Sequence, residues 1–268
     1  MNLPLAASAI DIARARQMLE CAGALIFDVD GTLAETEEVH RRAFNDAFLK
    51  MGLDWRWGRT IYKELLKIAG GKERIRAFDR SRRGPSFLSD HEVIELHQIK
   101  TSRYAELMAN SDYPLRPGVE ALLVSARRRG QRLAIATTTS LDNIDALLAA
   151  ALGKHWPDRF DAIVAGDEVP RKKPAPDVYL EVLRRLAMPA SCCIAIEDSH
   201  NGLVAASLAG IPVVITRSVY FDDEDFSEAL LVIKDLAELS LQGVRPIEDV
   251  CLARSNSQPI STPFARDG

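Results

Sequence analysis

Four apolar residues, Ala24-Leu25-Ile26-Phe27, run directly into Asp28-Val29-Asp30-Gly31-Thr32. A short continuous apolar run reads as a strand buried on both faces, the kind found in parallel sheets. Gly31 marks its end, where the backbone can take angles closed to other residues. Alternate residues of a strand point to the same side, so Asp28 and Asp30 converge on one small volume. Two carboxylates that close repel, and one of them holds its proton unless something offsets the charge. A divalent metal removes the difficulty, and so does a nucleophile working beside a general acid. A bare Asp-x-Asp is equally compatible with turn aspartates at a strand end, so the rest of the chain decides.

The chain has 268 residues, enough for one large domain or a core with a smaller companion. Its composition, 47% apolar and 27% charged, is that of a soluble globular protein. A net charge of −4 and a pI near 5.8 argue against a nucleic-acid partner. No run approaches the length of a membrane span, so no membrane partner is expected. The amino terminus lacks the basic start of a signal peptide. Cys21, Cys192, Cys193 and Cys251 show neither C-x-x-C nor zinc-site spacing. Cys192 and Cys193, in a strand-like run, are expected to be core thiols, and a reducing, cytoplasmic setting fits them.

Residues 1–21 read as an extra helix packing through Ile10, Ala13, Met18 and Leu19. After the Asp28 strand, residues 35–112 stay helical and strand-poor, with a turn-rich break at Arg80–Ser86. Strands and helices then alternate: Arg132–Thr137, Phe160–Ala165, Cys192–Ile196 and Pro212–Thr216 are apolar runs, and Leu230–Ile233 is a short last one. That alternation implies right-handed βαβ units. The predicted fold class is α/β, a doubly wound, Rossmann-like parallel sheet with an all-helical insert. The expected organisation is a helical extension at 1–21, a core at 22–34 and 113–250, a helical cap at 35–112, and a poorly ordered tail at 251–268.

Three strand ends carry chemistry: Asp28 with Asp30, Thr137 with Thr138, and Glu197 with Asp198. Open parallel sheets bind ligands beyond the carboxyl ends of their strands, so these three converge on one rim. Asp28, Glu197 and Asp198 are hard oxygen ligands suited to Mg²⁺. Lys173, in a Pro-flanked loop, is either a solvated turn lysine or the cation that neutralises this cluster and a phosphate.

Asp28-Val-Asp30-Gly-Thr, Thr137, Lys173-Pro-Ala-Pro and Glu197-Asp198-Ser199 resemble, in order and spacing, the four motifs of the haloacid dehalogenase superfamily. The insert is similar to the cap of its β-phosphoglucomutase and phosphoglycolate phosphatase branch. Asp28 to His40, Gly52-Leu-Asp-Trp55 and Gly70-Gly-Lys-Glu-Arg74 resemble the CbbY-type sugar-phosphate phosphatases. The resemblance implies an aspartyl-phosphate on Asp28, with Asp30 as general acid and then base. It implies Mg²⁺ held by Asp28, Asp198 and the Asp30 carbonyl, with Glu197 close by. Thr137 and the Thr138 amide would bind phosphate oxygens, and Lys173 would balance charge.

By the same resemblance Glu37, His40, Tyr62, Gly71, Lys72 and Arg74 face the site from the cap and bind a small phosphorylated sugar. Lys72 and Arg74 could hold a second phosphate, or be ordinary charges in a first helical turn. The CbbY type is associated with xylulose 1,5-bisphosphate. Lys67 departs from its pattern, standing where Arg is expected, which keeps charge but loses a bidentate grip. The alternative is a phosphosugar mutase, which returns the phosphoryl group to the sugar. A monomer or weak dimer is expected.

Overall fold

The computed structural model describes residues 8–82, 88–109 and 113–239. The expected tail at 251–268, Cys251 and part of the Arg80–Ser86 break lie outside the described residues. Six parallel strands form one sheet in the order β3-β2-β1-β4-β5-β6. They are β1 (Ala24–Phe27), β2 (Arg132–Ala136), β3 (Ala162–Val164), β4 (Cys193–Glu197), β5 (Val213–Thr216) and β6 (Leu231–Ile233). β1 lies in the middle, with Phe27 level with Ile135 on one side and Ile196 on the other. One more residue along, Asp28 stands beside Glu197, and the Asp28 amide donates to the Ile196 carbonyl (3.0 Å).

The strands are apolar throughout because both faces are covered. Ala24 and Ile26 enter one core with α8 (Asp177–Leu186) and α9 (His200–Leu208). Leu25 and Phe27 enter the other with α1 (Ala9–Cys21), α6 (Val119–Arg128) and α7 (Leu141–Leu152). Among the described residues no helix is long and apolar enough to cross a membrane.

Between β1 and β2 comes the helical insert: α2 (Glu37–Lys50), α3 (Arg59–Leu66), α4 (Gly71–Ser81) and α5 (Asp90–Ala109). Its core is aromatic. Trp57 is fully buried against Phe44 and Phe48, with ring centroids 4.6 and 4.8 Å away. Asn45 fixes that ring's backbone, accepting from the Trp57 amide (2.7 Å) and donating to its carbonyl (3.0 Å).

Two expectations about packing need correction. On α1, Leu19 is buried, but Ile10 and Ala13 face solvent. Ala15, one helical turn before Leu19, makes the contact instead, with Ile12 and Met18 at its flanks. Cys192 is exposed, because a 3₁₀ turn ends there and β4 begins at Cys193, which is buried.

Candidate active site

At the sheet rim, Asp28, Glu197 and Asp198 place carboxylate oxygens within 4.8 Å of one another, all three residues buried. Lys173 reaches into this cluster. Its Nζ donates to Asp28 Oδ1 (2.6 Å), Glu197 Oε1 (2.5 Å) and the Ala136 carbonyl (2.8 Å). Of the two sequence readings for Lys173, the solvated turn lysine is ruled out, since the residue is buried. Burial disfavours its charge, but Asp28 and Glu197 outweigh that and hold its pKa above the usual lysine range. Glu197 also accepts from the Tyr179 hydroxyl (2.5 Å), so it sits behind Lys173 and orients it.

One cation cannot satisfy three carboxylates. Burial, only partly offset by Lys173 and aggravated by Glu197 and Asp30, pushes Asp28 up to about 8. Burial, with Asp28 and Glu197 nearby, pushes Asp198 up as well. Asp198 Oδ2 is buried with no hydrogen-bond partner, which costs stability unless a ligand meets it. The donor set is all oxygen and crowded with negative charge, which fits a hard divalent cation such as Mg²⁺. Gly31, at φ +84°, brings the backbone against this cluster, and a Cβ there would lie 1.9 Å from Asp198 Oδ2.

Asp30 turns its side chain away from the cluster, toward the insert. Thr36 Oγ1 donates to its Oδ1 (2.5 Å), and His40 Nε2 lies 2.9 Å from the same atom. Lys100 Nζ sits 2.6 Å from His40 Nδ1. A protonated Lys100 can only donate, which makes Nδ1 the acceptor and places the imidazole proton on Nε2, facing Asp30. His40 stacks on Tyr104 at 4.1 Å, which fixes the ring plane. Burial would raise the Asp30 pKa, but His40, Thr36 and Lys100 prevail and lower it below the usual carboxylate range. Burial lowers Lys100 to about 7.

One cavity joins these groups. Asp28, Asp30, Thr137, Thr138, Lys173 and Asp198 line its sheet side. Glu37, His40, Gly71, Lys72, Arg74 and Lys100 line its insert side. Thr137 is buried, with Oγ1 accepting from the Thr139 amide (3.3 Å). Tyr62 does not line the cavity. It is fully buried behind Glu37 and donates to Glu37 Oε2 (2.6 Å). Lys67 is also outside the lining. Its side chain is exposed and paired with Glu64 (2.7 Å), while its carbonyl accepts from Asn201 (3.1 Å). The Arg-to-Lys departure therefore falls on a residue that presents its backbone, not its charge, to the core.

Ion pairs cross the cavity mouth between the insert and the sheet side, Lys72 to Asp167 (3.4 Å) and Glu73 to Lys172 (3.2 Å), and away from the cavity Lys63 of the insert pairs with Asp223 (2.7 Å). α4 opens at Gly70 without a side-chain cap, and its first residues Gly71 and Lys72 line the cavity. Gly71 touches His97, since a Cβ there would meet His97 Nε2 at 2.7 Å. Thr36, His97, Lys100 and Lys172 are site residues that the motif reading passes over. For Lys100 a signal exists: Val93, Leu96, Lys100, Tyr104 and Met108 form the buried stripe of α5, and a lysine in such a stripe has a polar task.

A parallel-sheet rim with paired strand-end aspartates, a buried lysine and an inserted helical cover is an α/β fold whose site suits chemistry on a phosphate ester. Residues 22–210 match the family model described as haloacid dehalogenase-like hydrolase. The protein CbbY of Rhodobacter capsulatus is 52% identical over 221 residues, covering 82% of this chain and 96% of that one. A crystal structure of a CbbY mutant from Rhodobacter sphaeroides, in complex with xylulose-(1,5)bisphosphate, is 46% identical with a TM-score of 0.78, covering 81% of this chain and 96% of that one. β-Phosphoglucomutase from Clostridium difficile, 24% identical with a TM-score of 0.68 over 81% of this chain and 93% of that one, shares the fold. The chain belongs to the haloacid dehalogenase-like hydrolases, in their CbbY-like branch, and is a phosphatase.

Proposed function

We propose that this phosphatase is Mg²⁺-dependent and hydrolyses a small sugar bisphosphate of the xylulose 1,5-bisphosphate kind, in the cytoplasm. The observation that carries the reading is a cavity with two unlike ends. One holds Asp28, Asp198, Thr137 and Lys173; the other holds Lys72, Arg74 and the uncapped start of α4. A helix N-terminus flanked by cations suits an anion. A substrate phosphorylated at both ends matches both, and the CbbY relative bound to xylulose-(1,5)bisphosphate supports that choice.

Asp28 attacks phosphorus, and the bond to the sugar oxygen breaks as that oxygen takes a proton from Asp30. Thr36 and His40 both occupy Oδ1 of Asp30, which leaves Oδ2 for the leaving oxygen. The phosphate dianion raises Asp30's low proton affinity on arrival, which supplies the acid form. Once the alcohol departs, ionised Asp30 takes a proton from water, which attacks the aspartyl-phosphate and frees Asp28 and inorganic phosphate. Thr137, the Thr138 amide and Lys173 meet the phosphoryl oxygens. Asp28, Asp198 and the Asp30 carbonyl would hold Mg²⁺, whose charge lets an anionic nucleophile approach an anionic phosphate.

The test is phosphate release from pentulose 1,5-bisphosphates, hexose 1-phosphates and phosphoglycolate. Release from the bisphosphates is expected, lost with EDTA and restored by Mg²⁺. Conversion of a hexose phosphate to its isomer with little free phosphate would move the chain to the mutases. Lys72→Ala or Arg74→Ala is expected to raise KM for a 1,5-bisphosphate about 10- to 100-fold, the worth of one charged hydrogen bond. KM for the matching 1-monophosphate should change little. Equal effects on both substrates would remove these residues from the distal phosphate.

A further inference from the structure

The turn that carries Asp28 and Asp30 is held from below by Arg116. This residue lies in the return linker between α5 and α6, and its side chain is 7% exposed. Every nitrogen of its guanidinium is engaged. Nη1 donates to the Gly31 carbonyl, and also to Thr216 Oγ1 (2.9 Å) and the Thr216 carbonyl (3.1 Å). Nη2 donates to the carbonyls of Arg217 (2.5 Å) and Lys234 (2.9 Å). Nε faces Glu35 in the outgoing linker (3.3 Å), and the Arg116 amide donates to the Leu33 carbonyl (2.8 Å).

These acceptors come from four separate places: the turn after β1, the outgoing linker, the end of β5 and the segment after β6. Strand-end carbonyls lack ladder partners and need donors when buried. A planar five-donor fork can serve several at once, which a lysine ammonium at the end of a single stem cannot. The turn it grips also lies against Asp198, because a Cβ at Gly31 would fall 1.9 Å from Asp198 Oδ2. A shift of Gly31 therefore moves both aspartates of the turn relative to Asp198. It also moves the place where the two linkers to the insert meet.

We propose that Arg116 is a positioning residue, a pin that sets the Asp28–Gly31 turn against Asp198 and joins it to both linkers of the helical insert. Its catalytic consequence rests on Asp28 and Asp30 being the reacting pair. A misplacement of about 1 Å at a reacting group can cost about 100-fold in rate, so Arg116→Met is expected to lower kcat by about 30- to 100-fold. KM should stay within about threefold, because the residues that bind substrate are untouched. Guanidinium added to the buffer should restore part of the lost kcat. Arg116→Lys keeps the charge without the fork and should fall between Met and wild type.

Amide hydrogen exchange supplies a readout that does not depend on turnover. In Arg116→Met, protection should fall at Gly31 and Leu33, whose amides donate within the turn to Ala34 and Val29. Protection in β2 and β4 should hold. A uniform loss of protection, or unchanged kcat per folded molecule, would make Arg116 an ordinary structural residue and overturn the proposal. If Arg116→Met does not fold, Arg116→Lys decides by the same two readings. If wild type releases phosphate from no substrate, the reading of Asp28 and Asp30 falls, and local exchange at the turn still decides whether Arg116 pins it.

Discussion

Asp28→Asn is expected to remove phosphate release, by about 10⁴-fold or more in kcat, while leaving the protein folded. An amide cannot form the aspartyl-phosphate, and loss of a nucleophile generally costs this much or more. The fold should survive for an electrostatic reason. Burial with Glu197 and Asp30 nearby raises Asp28 to about 8 despite Lys173. An acid whose pKa is higher in the folded state than in the unfolded one favours folding in its protonated form. It loses that advantage as pH rises from the unfolded value toward the folded one. In the metal-free protein, stability therefore falls as pH rises from about 4 to about 8, because the unfolded chain ionises this group while the fold holds it protonated, and a neutral amide removes this cost. Lys173 keeps Glu197 as a partner, and the asparagine oxygen can still accept from it. Kinetics and thermal melts of the metal-free protein at pH 7.5 would check both halves. Residual activity above about 1% of wild type would dismiss Asp28 as nucleophile. A collapse of the thermal midpoint would dismiss the electrostatic account.

How much of this could be read from the sequence depends on whether the cause is local. The strands were legible because a run buried on both faces is apolar at every position, as in Leu25, Ile26 and Phe27. The rim motifs were legible for a related reason: their spacing from a strand end is set within a few residues. The extent of each element was less so. β3 is expected from Phe160 but starts at Ala162, because the Phe160 amide closes a turn onto Pro157. α9 starts at His200, since Ser199 caps it by accepting from the Gly202 amide.

Contacts between distant residues were not legible. Lys100 meets His40 across 60 positions, and Arg116 meets Gly31 across 85. No local pattern states which carbonyl a buried cation will find. Tyr62 shows the converse. Its place in the motif pointed to the cavity, yet packing against Phe44 and Trp57 draws it behind Glu37, where it positions that carboxylate instead of lining the site.

Lys173→Met is expected to damage stability and activity together. Lys173 is 4% exposed and lies between two carboxylates at 2.6 and 2.5 Å. Removing one member of a buried ion pair typically costs about 3–5 kcal/mol, because the remaining charge stays desolvated and unpaired. Here two carboxylates lose their cation at once, so the metal-free variant should melt well below wild type. Part of the penalty is relieved by protonation: Asp28, already raised to about 8, should rise further and keep its proton to higher pH. The deficit in thermal midpoint should accordingly be largest above about pH 8 and shrink as pH falls through that value, whereas a lost packing contact would give a deficit that does not change with pH. Mg²⁺ should narrow the gap as well, since it supplies cationic charge to Asp28 and Asp198. Glu197, drawn back by Tyr179, benefits less. Activity at saturating Mg²⁺ should still fall by about 10²- to 10³-fold, the cost of removing one preorganised charge from the phosphoryl oxygens. A midpoint deficit that is independent of pH and Mg²⁺ would show that Lys173 matters for its packed stem and not for its charge.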